Sequence, residues 1–354
     1  MLHNNHRKDR NYEQEKCINL HRGGGSRLSR TSNLEPGVWT TTRAFTMAEI
    51  LLSLTIIGVV AAITLPSLTG NINERTWNTQ RKALYARFSQ AIALIPALNG
   101  YGTLDETTDT VAETFVTNGL AKVLKINNIC GSDNLSDCGL PAKVTPLVGS
   151  VIDFPQTLQD LNPLNTSVYQ SWSDPDPSKA GQHSYSQRNT KAAAFETANG
   201  ESIAVYYNPT CSSLLAEPNY IFIQKKMCAN FVYDLNGSKG PNTMGKDIGI
   251  ITVLYPTDSL LVAPLPHAQD ASTSVASNVA TSKCKAQDPD YRMPSKEELG
   301  ALFINKNLIG NMNEDRYWSS SLSSSITDAW YLKFSAGIMN HMNIDNLAVR
   351  CIKR

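Results

Sequence analysis

Several groups of residues in this chain have types and spacings that could do chemistry. Glu49 places one carboxylate inside a run that is otherwise free of charge from Phe45 to Leu68. A carboxylate in apolar surroundings is costly unless a cation pairs with it. Asp234, Asn236, Asn242 and Asp247 supply hard oxygen donors within one short stretch, DLNGSKGPNTMGKD, which is the ligand chemistry of calcium. Its Gly, Asn and Pro would equally make turns with no metal at all. It is not an EF-hand, since Lys239 stands where that loop requires Gly and no Glu stands at its twelfth position. Tyr317, Trp318, Trp330 and Tyr331 could stack on sugar rings, or form the core of a small domain.

Other chemistries are excluded or disfavoured. His183, His267 and His341 are isolated, and neither Gly-x-Ser-x-Gly nor a P-loop is present, so no enzyme is expected. The whole chain carries net charge +1, but residues 1–44 hold eight Lys/Arg and four Asp/Glu, against 24 and 27 in 45–354. The first segment is therefore basic and the rest net acidic, with no basic stripe to suit a nucleic acid. Cys17 lies in the basic segment. The remaining six cysteines are an even set, which reads as disulfides in an exported chain. Sequence alone cannot select the pairing. The most local set is Cys130–Cys138, Cys211–Cys228 and Cys284–Cys351. Zinc is disfavoured because there is no Cys-x-x-Cys and no His beside a cysteine pair.

The elements that would position these groups begin with a long helix. The run from Ile50 to Leu65 has no charge, which predicts a short transmembrane segment over about 46–66. Beyond it Trp77, Leu84, Phe88, Ile92 and Ile95 recur at steps of seven, four, four and three, one face of an amphipathic helix. Glu74, Arg75, Arg81, Lys82 and Arg87 fill the other face. Pro66 should kink the helix, and Pro96 with Asn99-Gly100 should end it. Strand signals follow at 194–197 and 202–207 around Asn199-Gly200, then at 220–223, 229–233 and 248–255. Residues 101–190 are polar and turn-rich and give no clear element. The small polar run inside 257–283 reads as an exposed linker. The last block, 284–354, opens on Ser295 three residues before Glu298, a capping box ahead of a helix, and then shows strands around Trp318, Trp330 and Val349. The expected fold class is α+β. A long N-terminal helix, its apolar half transmembrane and its second half packed on an antiparallel sheet, is joined to a small disulfide-tied α+β C-terminal domain.

Two resemblances add to this reading. Ala44-Phe45, Glu49 fifth from Phe45 and Pro66 twenty-second from it resemble the N-terminus of the type IV pilin family, which includes the pseudopilins of type II secretion. Gly is usual where this chain has Ala44. The resemblance implies a leader over 1–44, cleavage between Ala44 and Phe45 by a prepilin peptidase, and N-methylation of Phe45. It also implies an N-terminal helix over 45–100, a globular head over 101–256, and assembly with other pilin subunits through that helix, Glu49 pairing with the amino terminus of a neighbour. Residence would be single-pass in the inner membrane before assembly, with the globular part outside the cytoplasm, and in a pilus or pseudopilus afterwards. The 234–247 loop is similar to one seen in many pilin-like proteins, and some pseudopilins use a loop there for calcium. RMPSKEEL, YWSS, AWYLKFSAG and VRC within 284–354 resemble small C-type-lectin-like domains that end some bacterial collagen-like adhesins. That implies surface glycans as partners and an adhesive minor pilin. The alternatives are a secretion pseudopilin with a purely structural C-terminal cap, or an uncleaved membrane-anchored surface adhesin.

Overall fold

The computed structural model describes residues 46–100, 102, 104, 111–161, 191–209, 211, 226–255, 259–262, 266–267, 269–312, 316–323, 328–335, 337–343 and 346–353, with backbone alone at 64–73, 226, 255, 259–262 and 338. Helix α1 (Met47–Asn99) is followed by α2 (Ala112–Asn118), β1 (Ile126–Cys130), β2 (Lys143–Val144), β3 (Ile152–Asp153) and α3 (Leu158–Leu161). Then come β4 (Ala193–Thr197), β5 (Ser202–Tyr207), β6 (Lys226–Asp234), β7 (Ile248–Tyr255), β8 (Ser259–Val262) and β9 (Ser272–Val275). The chain ends with α4 (Ser277–Gln287), β10 (Tyr291–Arg292), α5 (Lys296–Ile304), α6 (Lys306–Ile309), β11 (Arg316–Leu322), β12 (Ala329–Lys333), β13 (Ile338–Met342), β14 (Leu347–Val349) and β15 (Ile352–Lys353). Residues up to Ala61 form one unit and Ala62–Arg354 a second.

The second unit is built on a six-stranded sheet in the order β1-β4-β5-β6-β7-β8, antiparallel throughout. Asn199-Gly200 makes the β4–β5 turn, where Gly200 adopts φ +85°, a conformation that penalises a side chain. Alternate residues of each strand enter different cores. Phe195, Ile203, Val205, Tyr207, Phe231, Ile251 and Val253 meet Leu84, Phe88, Ile92 and Ile95 of α1. Phe88 sits edge-on to Phe231 with ring centroids 5.0 Å apart. Burying each such side chain is worth about 1.5–3 kcal/mol, against a few tenths for an exposed ion pair on a helix. Packing therefore sets the rotation of α1 about its axis.

The opposite face of the same sheet is also covered. Ala194, Ala204, Tyr206, Val232, Ile248 and Ile250 share one core with Leu299, Leu302, Phe303, Leu308 and Ile309 of α5 and α6, and with Phe154 and Leu158. A buried polar contact crosses it: Asn230 Nδ2 donates to Asn305 Oδ1 at 2.9 Å, and the Thr252 hydroxyl donates to Asn230 Oδ1 at 2.7 Å. Beyond α5 lies a five-stranded sheet in the order β13-β12-β11-β14-β9. Its far face packs Trp318, Tyr331 and Val349 against Ala280 and Cys284 of α4. Disulfides join Cys130 to Cys138, Cys211 to Cys228 and Cys284 to Cys351. Ser295 and Glu298 form a reciprocal capping box at the start of α5.

The structure corrects the expected fold class at its first element. Among the described residues, no helix is long and apolar enough to cross a membrane. What is present is a mixed helix and sheet architecture with several sheets. Residues 257–283, expected as a linker, carry β8, β9 and the first turns of α4, and 284–354 shares its core with the preceding residues. The strand expected at 220–223 lies outside the described residues.

A shared core predicts shared unfolding. Asn305→Ala should cost about 1–3 kcal/mol by leaving the buried Asn230 Nδ2 without its acceptor, and Leu302→Ala about 2–5 kcal/mol. Urea titration followed by tryptophan fluorescence should show each loss in a single transition. An earlier, separate transition for the C-terminal block would contradict the shared core.

Candidate functional site

Ala44 and Phe45 lie outside the described residues, and so does the side chain of Pro66, whose backbone is within α1. Glu49 is exposed in the first turn of α1. Its backbone N–H donates to Thr46 Oγ1 at 3.2 Å, while its carboxylate accepts from the Thr46 N–H and hydroxyl, both at 3.0 Å. This is a capping box, and it satisfies backbone donors that the helix start leaves free. Thr46 is the residue sequence reasoning missed; the Thr-x-x-Glu spacing was its signal.

The four oxygen-bearing residues of the 234–247 loop are drawn together between β6 and β7. Asp247 accepts the N–H groups of Asn242 and Thr243, both at 2.8 Å. Asp234 Oδ1 accepts the Asn236 N–H at 3.1 Å, and Asn236 Nδ2 donates to the Gly240 carbonyl at 2.7 Å. Three side-chain oxygens stay buried with no hydrogen-bond partner: Asp234 Oδ2, Asn236 Oδ1 and Asn242 Oδ1. Native proteins rarely leave such atoms unpaired, because each costs on the order of 1–3 kcal/mol. Burial pushes the Asp234 carboxyl up to about 7, against the opposing pull of the Asn236 N–H, and the nearby Asp247 charge adds to the rise.

This donor set fits a hard cation. It offers carboxylate and amide oxygens, two of them on like-charged Asp234 and Asp247, and no thiolate or imidazole. Among the described residues no group of three His, Cys, Asp or Glu could hold a metal ion, so any cation here would depend on the amide oxygens as well. Asp234, Asn236 and Asn242 would ligate it through their unpartnered oxygens, with Asp247 shaping the loop and adding charge. A bound calcium would neutralise the two carboxylates and satisfy the orphaned oxygens.

The aromatics do not form a stacking platform. Tyr317 and Trp318 are fully buried and Tyr331 is 8% exposed. Trp318 Nε1 donates to the Val275 carbonyl at 2.7 Å, and its ring meets Tyr331 edge-on at 6.3 Å. Tyr317 packs edge-on to Phe334 at 4.9 Å. Only Trp330 keeps a partly exposed ring, with Lys296 Nζ 4.9 Å from its centroid and His341 beside it at 5.1 Å. Both faces of β11 are covered, so neighbours on that strand enter two different cores. Comparison with known protein families and with curated proteins gives no match.

If the loop takes calcium, millimolar calcium should raise the melting temperature by several degrees, with magnesium doing less, since it demands tighter octahedral geometry. Asp234→Asn should remove most of that rise while leaving the protein in chelator no less stable, because it deletes a buried charge without changing shape. Differential scanning fluorimetry with calcium and with chelator would check both.

Proposed function

We propose that this chain is a pilin-like structural subunit, cut between Ala44 and Phe45 by a prepilin peptidase and assembled into a pilus or pseudopilus through its N-terminal helix. The carrying observation is the contrast between the two halves of α1. Ile50, Leu51, Leu52, Leu54, Ile56, Ile57, Val59, Val60 and Ile63 are all exposed, from 48% to 71%, whereas Leu84, Phe88, Ile92 and Ile95 are buried on the sheet. Soluble monomers rarely expose apolar surface on that scale unless something else covers it. Equivalent helices of other copies would do so, and the register of Ala44, Phe45, Glu49 and Pro66 favours that occupant.

In such an assembly the new amino terminus of Phe45 would be the cation for Glu49. A carboxylate enclosed by apolar helices is heavily penalised without a partner, and a copy in the wrong axial register would leave both charges unpaired. The pair would thus select register. The head would sit outside the cytoplasm, where three disulfides persist.

Within the family, the burial of Tyr317, Trp318 and Tyr331 favours a C-terminal block that is a structural cover over one that binds glycans. This is the secretion-pseudopilin form of the reading.

Glu49→Ala is expected to be cleaved normally, with Phe45 first on N-terminal sequencing, yet to be absent from sheared fibres on immunoblotting. Normal incorporation of that variant would overturn the register role, and an uncut leader would overturn the family assignment.

A further inference from the structure

The loop that gathers the buried oxygens is also the place where the head grips the long helix. From α1, Arg81 Nη2 donates to the Gly245 carbonyl at 2.6 Å and to the Lys246 carbonyl. Its Nη1 donates to Asn78 Oδ1 at 2.8 Å, which fixes the fork from its own helix. The same guanidinium lines one small cavity with Tyr233, the residue next to Asp234. Tyr233 in turn lies across β7 where Gly249 has no side chain, since a Cβ there would fall 2.2 Å from the phenol oxygen.

We propose that Arg81 is a positioning residue that couples cation binding in the 234–247 loop to the hold of α1 on the sheet; this rests on the reading of that loop as a calcium site. The chain of contacts is short. Arg81 fixes the carbonyls of residues 245 and 246, the next residue is Asp247, and Asp247 holds the N–H groups of Asn242 and Thr243. Asn242 carries one of the orphaned oxygens, and Asp234, beside Tyr233, carries another. The guanidinium therefore holds the end of the loop that leads into β7 and lies beside Tyr233 at the end that leaves β6, so seating α1 pre-arranges the oxygens. Ligands gain affinity from such preorganisation. Linkage requires the reverse effect in equal measure, so a bound cation must tighten the seating of α1.

Charge and geometry predict opposite signs. Arg81 is a cation near a cation site, so removing its charge should strengthen calcium binding if electrostatics dominate. If positioning dominates, removal should weaken it. The test is calcium titration calorimetry on the purified, oxidised full-length chain, with hydrogen exchange of the α1 amides at 84–95 measured with and without calcium. Wild type should bind calcium and slow exchange in α1. Arg81→Gln should bind at least ~5-fold more weakly and lose the calcium-dependent slowing. Arg81→Lys keeps the charge but not the planar fork, and should resemble Arg81→Gln. Arg87→Gln provides the control. Arg87 ties α1 to Glu201 at 2.5 Å and bonds none of the loop's oxygen-bearing residues, so its loss should loosen α1 while weakening calcium binding much less than Arg81→Gln does. Unchanged or tighter binding in Arg81→Gln, or equal weakening in Arg87→Gln, would overturn the coupling while leaving the cation site standing. No calcium binding by the wild type would overturn both.

Discussion

The constraint on which the structure depends is a sheet with two apolar faces. Antiparallel sheets commonly leave one face to water and read as alternating apolar and polar residues. Here β5 is buried at every position from Ser202 to Tyr207, and β6 and β7 carry bulky apolar side chains toward both sides. Such a sheet is unstable until both faces are covered. The amphipathic half of α1 covers one and α5 with α6 covers the other. The last residues of the chain are therefore part of the same folding problem as the first helix.

The polar contacts serve this arrangement. Asn230 points to the second face in the middle of β6, and Asn305, at the end of α5, supplies its partner. A wrongly seated α5 would leave two amides buried and unpaired, so the pair discriminates against mispacking more than it adds stability. Farther on, Arg350 is buried, with Nε 2.6 Å from Asp270 and its other nitrogens donating to the carbonyls of His267 and Asn311. That pair knits the C-terminal strand to the segment before β9, and Cys284–Cys351 closes the same region covalently. A guanidinium with this many partners offsets a desolvation cost that a lone charge could not.

The 234–247 loop stands apart because it violates the rule that buried oxygens are satisfied. Three of the buried side-chain atoms that lack a partner fall in this one loop. In the loop, Asp247 is fully engaged with backbone donors while Asp234, Asn236 and Asn242 each keep one oxygen unpaired. Departures of this kind gather at functional positions. The departure is local, it involves hard oxygens, and it sits at a contact between the head and the helix.

The sequence by itself determined the local elements. The seven-four-four-three spacing defined the buried face of α1, Asn199-Gly200 the first hairpin, Ser295 and Glu298 the start of α5, and the oxygen-rich loop its donor residues, because each signal is carried by neighbours along the chain. It also determined where Glu49 stands relative to Phe45, which no tertiary contact is needed to read. Only the tertiary structure decided what covers what. The aromatics around Trp318 look the same in sequence whether they face sugars or a core, and β12 shows why, since Trp330 and Tyr331 are adjacent yet lie on opposite faces. The small polar run before Cys284 reads as a linker because it lacks apolar periodicity, yet β14 recruits β9 from it by backbone pairing that any side chain allows. Burial on both faces of a sheet depends on partners distant along the chain, and local spacing carries no record of them.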